Sequence, residues 1–229
     1  MKIKKLISAL VLGSMLVGLS GCNITDFSAE NLLRPPKAVG DEAEIEQLIA
    51  KTADSGYTLK YPKNGKFRSA IIMTDLDGND SNEAVAFFRN SAETSSVHML
   101  VMYSKDNSWE IASDNIFETT DIDSVDFADL TGNGKAEIIV NSTTYTPNVG
   151  KLSCYSYSEG KTNEVGSGQS CSSFVTGDFD NDGTSEIMSF VLYTTENEAL
   201  ASMLDYNEDS KSLYAKAMAN MDPNVVKYK

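Results

Sequence analysis

The residues best suited to chemistry in this chain are acidic, and they recur in three copies of one spacing. The first copy runs Asp75-Leu76-Asp77-Gly78-Asn79-Asp80-Ser81-Asn82-Glu83. The second runs Asp129-Leu130-Thr131-Gly132-Asn133-Gly134-Lys135-Ala136-Glu137, and the third Asp178-Phe179-Asp180-Asn181-Asp182-Gly183-Thr184-Ser185-Glu186. Each copy puts oxygen-bearing side chains at positions one, three and five and a glutamate at position nine. Oxygens that alternate along a tight turn can close around a hard cation, and calcium takes roughly six to eight such ligands. Asp/Asn/Gly turns also join strands with no metal at all. Three copies in one register, each with Glu at nine, favour the metal reading.

The elements that must hold these loops are strands. From Gly56 onward the apolar residues alternate with a period of two, broken by polar turns such as Ser104-Lys105-Asp106-Asn107 and Asn207-Glu208-Asp209-Ser210. The pattern predicts strands near 68–74, 83–88, 97–103 and 108–112. The next four fall near 125–128, 136–141, 152–158 and 162–165, and the last four near 172–176, 185–193, 200–206 and 212–218. That is four strands, three times, with an acidic loop after the first strand of each set. The loops start 54 and then 49 residues apart. Regular four-stranded units of this length predict an all-β fold of propeller-type blades, spanning 57–116, 117–167 and 168–218. Ahead of them, residues 41–56 predict a short capping helix. Ile45, Leu48, Ile49 and Ala53 share one face, Asp41, Glu42 and Glu44 fill the first turn, and Asp54-Ser55-Gly56 is a stop. Residues 219–229 are the start of a possible fourth blade.

The loops and their strands resemble FG-GAP or VCBS repeats, the family that includes the integrin alpha-subunit propeller. The resemblance covers roughly residues 68–218. It implies that each loop joins the first two strands of a blade and binds calcium through side chains at positions one, three, five and nine and the backbone carbonyl at seven. The implied ligands in the third loop, which matches best, are Asp178, Asp180, Asp182, the carbonyl of Thr184, and Glu186. In the first loop they are Asp75, Asp77, Asn79, the carbonyl of Ser81, and Glu83. In the second they are Asp129, Thr131, Asn133, the carbonyl of Lys135, and Glu137. Three features depart from the family: Asp80 stands where Gly is usual, Thr131 replaces a carboxylate, and position nine is Glu where the family often has the shorter Asp. An EF-hand is excluded, because it needs a bidentate Glu at position twelve and a following helix. Position twelve here is Ala86, Val140 or Ser189, inside predicted strands. Closed propellers use about four to eight blades, so three blades imply a fragment of a longer chain, an open array, or a ring completed by self-association.

The first 21 residues resemble a bacterial lipoprotein signal peptide. Lys2, Lys4 and Lys5 precede an apolar run from Leu6 to Leu19, which ends in Leu19-Ser20-Gly21-Cys22. The resemblance implies cleavage before Cys22 and a lipid on its sulfur, which anchors the chain at the extracytoplasmic face of the cell membrane. Residues 22–40, polar and carrying Pro35-Pro36, read as the lipidated tether. Cleavage removes three lysines and no acid, leaving 16 basic against 33 acidic residues, a formal charge of −17. So acidic a body repels nucleic acid and attracts cations. The export compartment permits a disulfide between Cys154 and Cys171, but a chain of this size needs no staple, and two half-buried thiols are expected.

The search for an enzyme finds little. The only histidine, His98, sits in the strand pattern Val97-His98-Met99-Leu100-Val101, and no nucleophile-elbow, zinc-protease or phosphate-loop motif is present. Tyr145, Tyr155, Tyr157 and Tyr193 could line a sugar platform, although tyrosines in strands are usually packing residues. Trp109 reads as outer-strand packing. The expected function is a non-catalytic, calcium-stabilised binding or scaffold module with an extracellular protein or glycan partner. The alternative is a carbohydrate-binding or glycan-processing lipoprotein. Thr143–Gly150, the longest candidate loop, is the expected contact surface.

Overall fold

The structure, a computed structural model, describes residues 40–54, 56–193 and 198–221. The chain divides into two units, 1–38 and 39–229, and every described residue belongs to the second. The predicted signal peptide, Cys22, most of the tether and residues 222–229 lie outside the described residues.

The helix, α1, spans Asp41–Ala53. Acids in its first turn and Lys51 in its last complement the helix dipole. Ile45, Ile49 and Ala53, four residues apart, form one buried stripe. Asp54 caps it with a φ of 57°, so the helix ends at Ala53, three residues short of the predicted limit at 56.

Three antiparallel sheets follow, and among the described residues everything regular beyond the helix is β-strand. The first blade holds β1 (Tyr57–Leu59), β2 (Ile71–Thr74), β3 (Glu83–Asn90), β4 (Val97–Lys105) and β5 (Ser108–Phe117). The second holds β6 (Ile122–Ala128), β7 (Glu137–Thr143), β8 (Gly150–Ser158) and β9 (Lys161–Cys171). The third holds β10 (Ser173–Gly177), β11 (Glu186–Tyr193), β12 (Glu198–Asn207) and β13 (Ser212–Met221). Strands in the second and third sheets pair in chain order, and no sheet closes into a barrel.

All twelve predicted strands are present, but three details differ. β1 is an extra strand that shares the inner edge of β3 with β2: Leu59 faces Phe88, and Ile71 faces Ala86. Between them the chain leaves the sheet to strap blade one to blade two, where the N–H groups of Lys63 and Asn64 donate to the carbonyls of Ile122 and Asp123 at 3.2 and 2.7 Å. β9 runs to Cys171, past the expected blade boundary at 167, because two register shifts against β8 let the pairing continue. β13 runs to Met221, so residues 219–221 belong to blade three and not to a fourth unit.

Alternation along the strands explains the packing. Position ten of each repeat faces the preceding element, and position eleven faces the following one. Ala84 lies under α1 with Phe88, Leu100, Met102 and Trp109. Val85 joins Phe87, Val97, Met99, Ile138 and Val140 between blades one and two. Ile139 joins Leu152, Cys154, Ile187 and Leu204 between blades two and three. Blades one and two are thus buried on both faces, which is why Ala84-Val85-Ala86-Phe87-Phe88 is continuously apolar. Cys154 and Cys171 are fully buried thiols with no disulfide between them, deeper than the half-burial expected. Burial pushes the Cys154 thiol up, so it is inert.

Candidate metal centres

The three acidic loops fold to one hydrogen-bond plan. The position-one aspartate accepts the backbone N–H of positions five and six: Asn79 and Asp80 onto Asp75, Asn133 and Gly134 onto Asp129, Asp182 and Gly183 onto Asp178. The position-five side chain accepts the N–H of position seven, from Ser81, Lys135 and Thr184, at 2.7, 2.8 and 2.8 Å. The position-nine glutamate accepts the N–H of position two, from Leu76, Leu130 and Phe179, each at 2.8 Å. Such a wrap requires left-handed backbone at positions four and six. Gly78, Gly132 and Asn181 fill position four with φ of 73°, 69° and 61°. Asp80, Gly134 and Gly183 fill position six with φ of 65°, 79° and 94°. Asp and Asn are the side chains that best tolerate this region, so Asp80 fits the turn despite replacing the usual Gly.

Neighbouring loops are also tied to each other. The N–H of Ala136 donates to the Leu76 carbonyl at 3.0 Å, and the N–H of Ser185 donates to the Asp129 carbonyl at 2.9 Å. The position-two side chain plugs the interface to the next blade, Leu76 in the first interface and Leu130 in the second. The recurring Leu, Leu, Phe at position two is the sequence signal for this second role of the loops.

The loops differ in what their carboxylates can hold. Asp178, Asp180, Asp182 and Glu186 each bring a carboxylate oxygen within 4.8 Å of the others, and so do Asp75, Asp77 and Glu83. Each group contains a buried carboxylate oxygen with no hydrogen-bond partner, Glu186 Oε1 in one and Asp77 Oδ1 in the other. An unpartnered buried carboxylate oxygen is costly, and a cation at the convergence point would satisfy it. These acidic clusters can hold a metal ion. The second loop cannot do so in the same way. There the Thr131 hydroxyl donates to Glu137 Oε1 at 3.3 Å, filling the role a cation would play, and no such cluster forms among its described residues.

Two features went unseen in the sequence. Lys216 on β13 donates to Asp180 Oδ2 at 2.5 Å and to Asp205 Oδ2 at 2.9 Å, an internal counter-charge for the third loop. Asn79, expected as a ligand, spends its side-chain oxygen on the Ser81 N–H. The four candidate platform tyrosines do not share one surface: Tyr155 and Tyr157 are core residues between blades one and two, Tyr145 is 97 % exposed, and of the four only Tyr145 and Tyr155 line a common cavity, of about 490 Å³. His98 is a buried sheet histidine, its Nδ1 2.9 Å from Asp114 and its ring stacked on Phe88. Trp109 packs under α1.

The position-nine glutamates are electrostatically poised. Burial pushes Glu83 up, against the Leu76 N–H, and the charges of Asp77 and Asp75 push it further. Glu186 is raised in the same way, with Asp180 and Asp182 as the nearby charges. Glu137 is the most perturbed, pushed up to about 6 by burial, against the Leu130 N–H, and by Asp129. Its folded value exceeds its unfolded one. Its contribution to stability is therefore full below about 4.5 and is lost as pH rises through about 6. In chelator, the wild-type chain is expected to lose about 1–2 kcal/mol more than Glu137→Gln between pH 4.5 and 7, read from urea melts at both pH values.

A scan of the chain against models of known protein families finds no match, and a search of curated proteins finds no significant relative.

Proposed function

We propose that this chain is a non-catalytic, calcium-stabilised binding or scaffold module, held by an N-terminal lipid on Cys22 at the extracytoplasmic face of a cell membrane. The observation that carries the calcium reading is the pair of orphaned buried oxygens, Asp77 Oδ1 and Glu186 Oε1, each on a member of a carboxylate cluster. In the third loop Asp178, Asp180, Asp182 and Glu186 would hold the ion, and in the first Asp75, Asp77 and Glu83. Calcium supplies charge neutralisation and oxygen coordination, not reaction chemistry. The chain's own contribution is architectural. The loops bind adjacent blades together through the Ala136–Leu76 and Ser185–Asp129 contacts, so quieting their carboxylates stiffens the whole array. The likeness of the loops to FG-GAP and VCBS repeats, and of Leu19-Ser20-Gly21-Cys22 to a lipobox, supports the same reading.

Equilibrium dialysis with calcium tests it. Two ions per chain are expected. Asp178→Ala should leave one, and Glu137→Gln should leave two. Binding of no ion, or a stoichiometry untouched by Asp178→Ala, contradicts the assignment.

The alternative, a carbohydrate-binding or glycan-processing lipoprotein, is favoured by one observation. Thr143–Gly150 borders a cavity of about 630 Å³ whose lining includes Asn64, Thr120, Thr143, Thr144, Thr146 and Asn148. Hydroxyl and amide groups in such number suit a polyhydroxylated ligand. A glycan array read in calcium and in chelator separates a glycan partner from a protein partner.

A further inference from the structure

The two ends of the array are finished differently. On blade one, α1 lies over the outward face and buries Ala84, Ala86 and Phe88. On blade three, the face that corresponds to the covered face of blades one and two is left open among the described residues. Position eleven shows this directly: Val85 and Ile139 are fully buried, while Met188 is only half-buried. Position two shows it again: Leu76 and Leu130 are buried, while Phe179 is 43 % exposed. Cross-strand register places Val175, Met188 and Met203 in one row of this face, and Phe190 and Ala201 in the next. Val175 is 50 % exposed. The face is therefore apolar and built from the same positions that make both internal blade interfaces.

We infer that the open face of blade three is a self-association surface, and that its occupant is the same face of a second copy of this chain. Inside the chain the equivalent faces, at Val85 and Ile139, are covered by apolar residues of the next blade, Ile138 and Ile187 among them, so the open face is of a kind that blade residues cover. One such face is open per chain among the described residues, because α1 caps the other end. Pairing is then isologous, which closes at a dimer and cannot run on as a filament. The area is adequate: β11 is eight residues long. At strand spacing, four strands of that length give about 500 Å² per copy, and about 1,000 Å² in total reaches the lower range of specific interfaces. Met188 and Met203 suit such a contact, since thioether side chains repack against a twin surface. Asp205 and Lys216, paired at the loop end of the sheet, give the face a polar border.

Sedimentation velocity of the full chain in a non-ionic detergent tests this. A dimer is expected. Phe179→Asp and Val175→Asp should each weaken dimerisation at least about tenfold, the effect of charging a central apolar contact. Both residues are already solvent-accessible, so the monomer should keep its fold, checked by circular dichroism. Met73→Asp, at an equally exposed apolar residue of blade one (42 % exposed), should leave the dimer intact. A monomer at all concentrations up to about 100 times the usual micromolar range of weak dimers overturns the inference. So does an oligomer that ignores both blade-three substitutions, the behaviour expected if the apolar run at Leu6–Leu19 were its cause.

Discussion

Millimolar calcium is expected to raise the melting temperature of this chain by about 6–11 °C, and chelator to reverse the rise. Extracellular calcium modules bind at about 10⁻⁴–10⁻³ M. With free ion at about ten times Kd, each occupied site adds about 1.4 kcal/mol. Two sites, the first loop and the third, give about 2.8 kcal/mol, and a domain of about 150–250 residues moves about 2–4 °C per kcal/mol. Asp182→Ala should remove about half the shift, because Asp182 both belongs to the third cluster and accepts the Thr184 N–H and hydroxyl. The two sites need not be equal. Lys216 already pairs with Asp180 in the third loop, and its ammonium is pushed up by the Asp180 and Asp205 carboxylates. The first loop has no such competitor among the described residues, so Lys216→Met should tighten the third site and leave the first unchanged.

The second large effect lies in the packing. Phe87 is fully buried between blades one and two, against Val97, Met99, Ile138 and Val140. Phe87→Ala is expected to cost about 3–5 kcal/mol, from lost transfer energy plus the cavity left behind. Thermal or urea unfolding checks this. The calcium increment should survive the substitution, since no ligand touches the cavity. A loss of calcium response together with the stability would mean that the loops depend on the interface more than their local hydrogen bonds imply.

What could be read from the chain was whatever depends on short separations. The strands followed from alternation. The loop plan followed from nine-residue spacing, because its hydrogen bonds join positions two to seven residues apart, such as Leu76 to Glu83 and Asp80 to Asp75. What could not be read depends on distant pairs. Lys216 meets Asp180 across 36 residues, on a strand whose outward residues carry no metal signal. β1 is three residues long and pairs with β3 only because the chain returns from α1 along that edge. Tyr155 and Tyr157 alternate like sugar-platform residues but point into the first blade interface, a direction decided by how blades stack. The weakness of the second loop was partly legible, in Thr131. Its cause was not, since it takes coordinates to see the Thr131 hydroxyl on Glu137 Oε1.

An anomalous difference map from crystals grown in excess calcium tests the central claim most directly. Expected is one peak among Asp178, Asp180, Asp182 and Glu186 and another among Asp75, Asp77 and Glu83, each about 2.3–2.6 Å from carboxylate oxygens, with none between Asp129 and Glu137. A map with no peak at either cluster, and with Asp77 Oδ1 and Glu186 Oε1 satisfied by water alone, would contradict it.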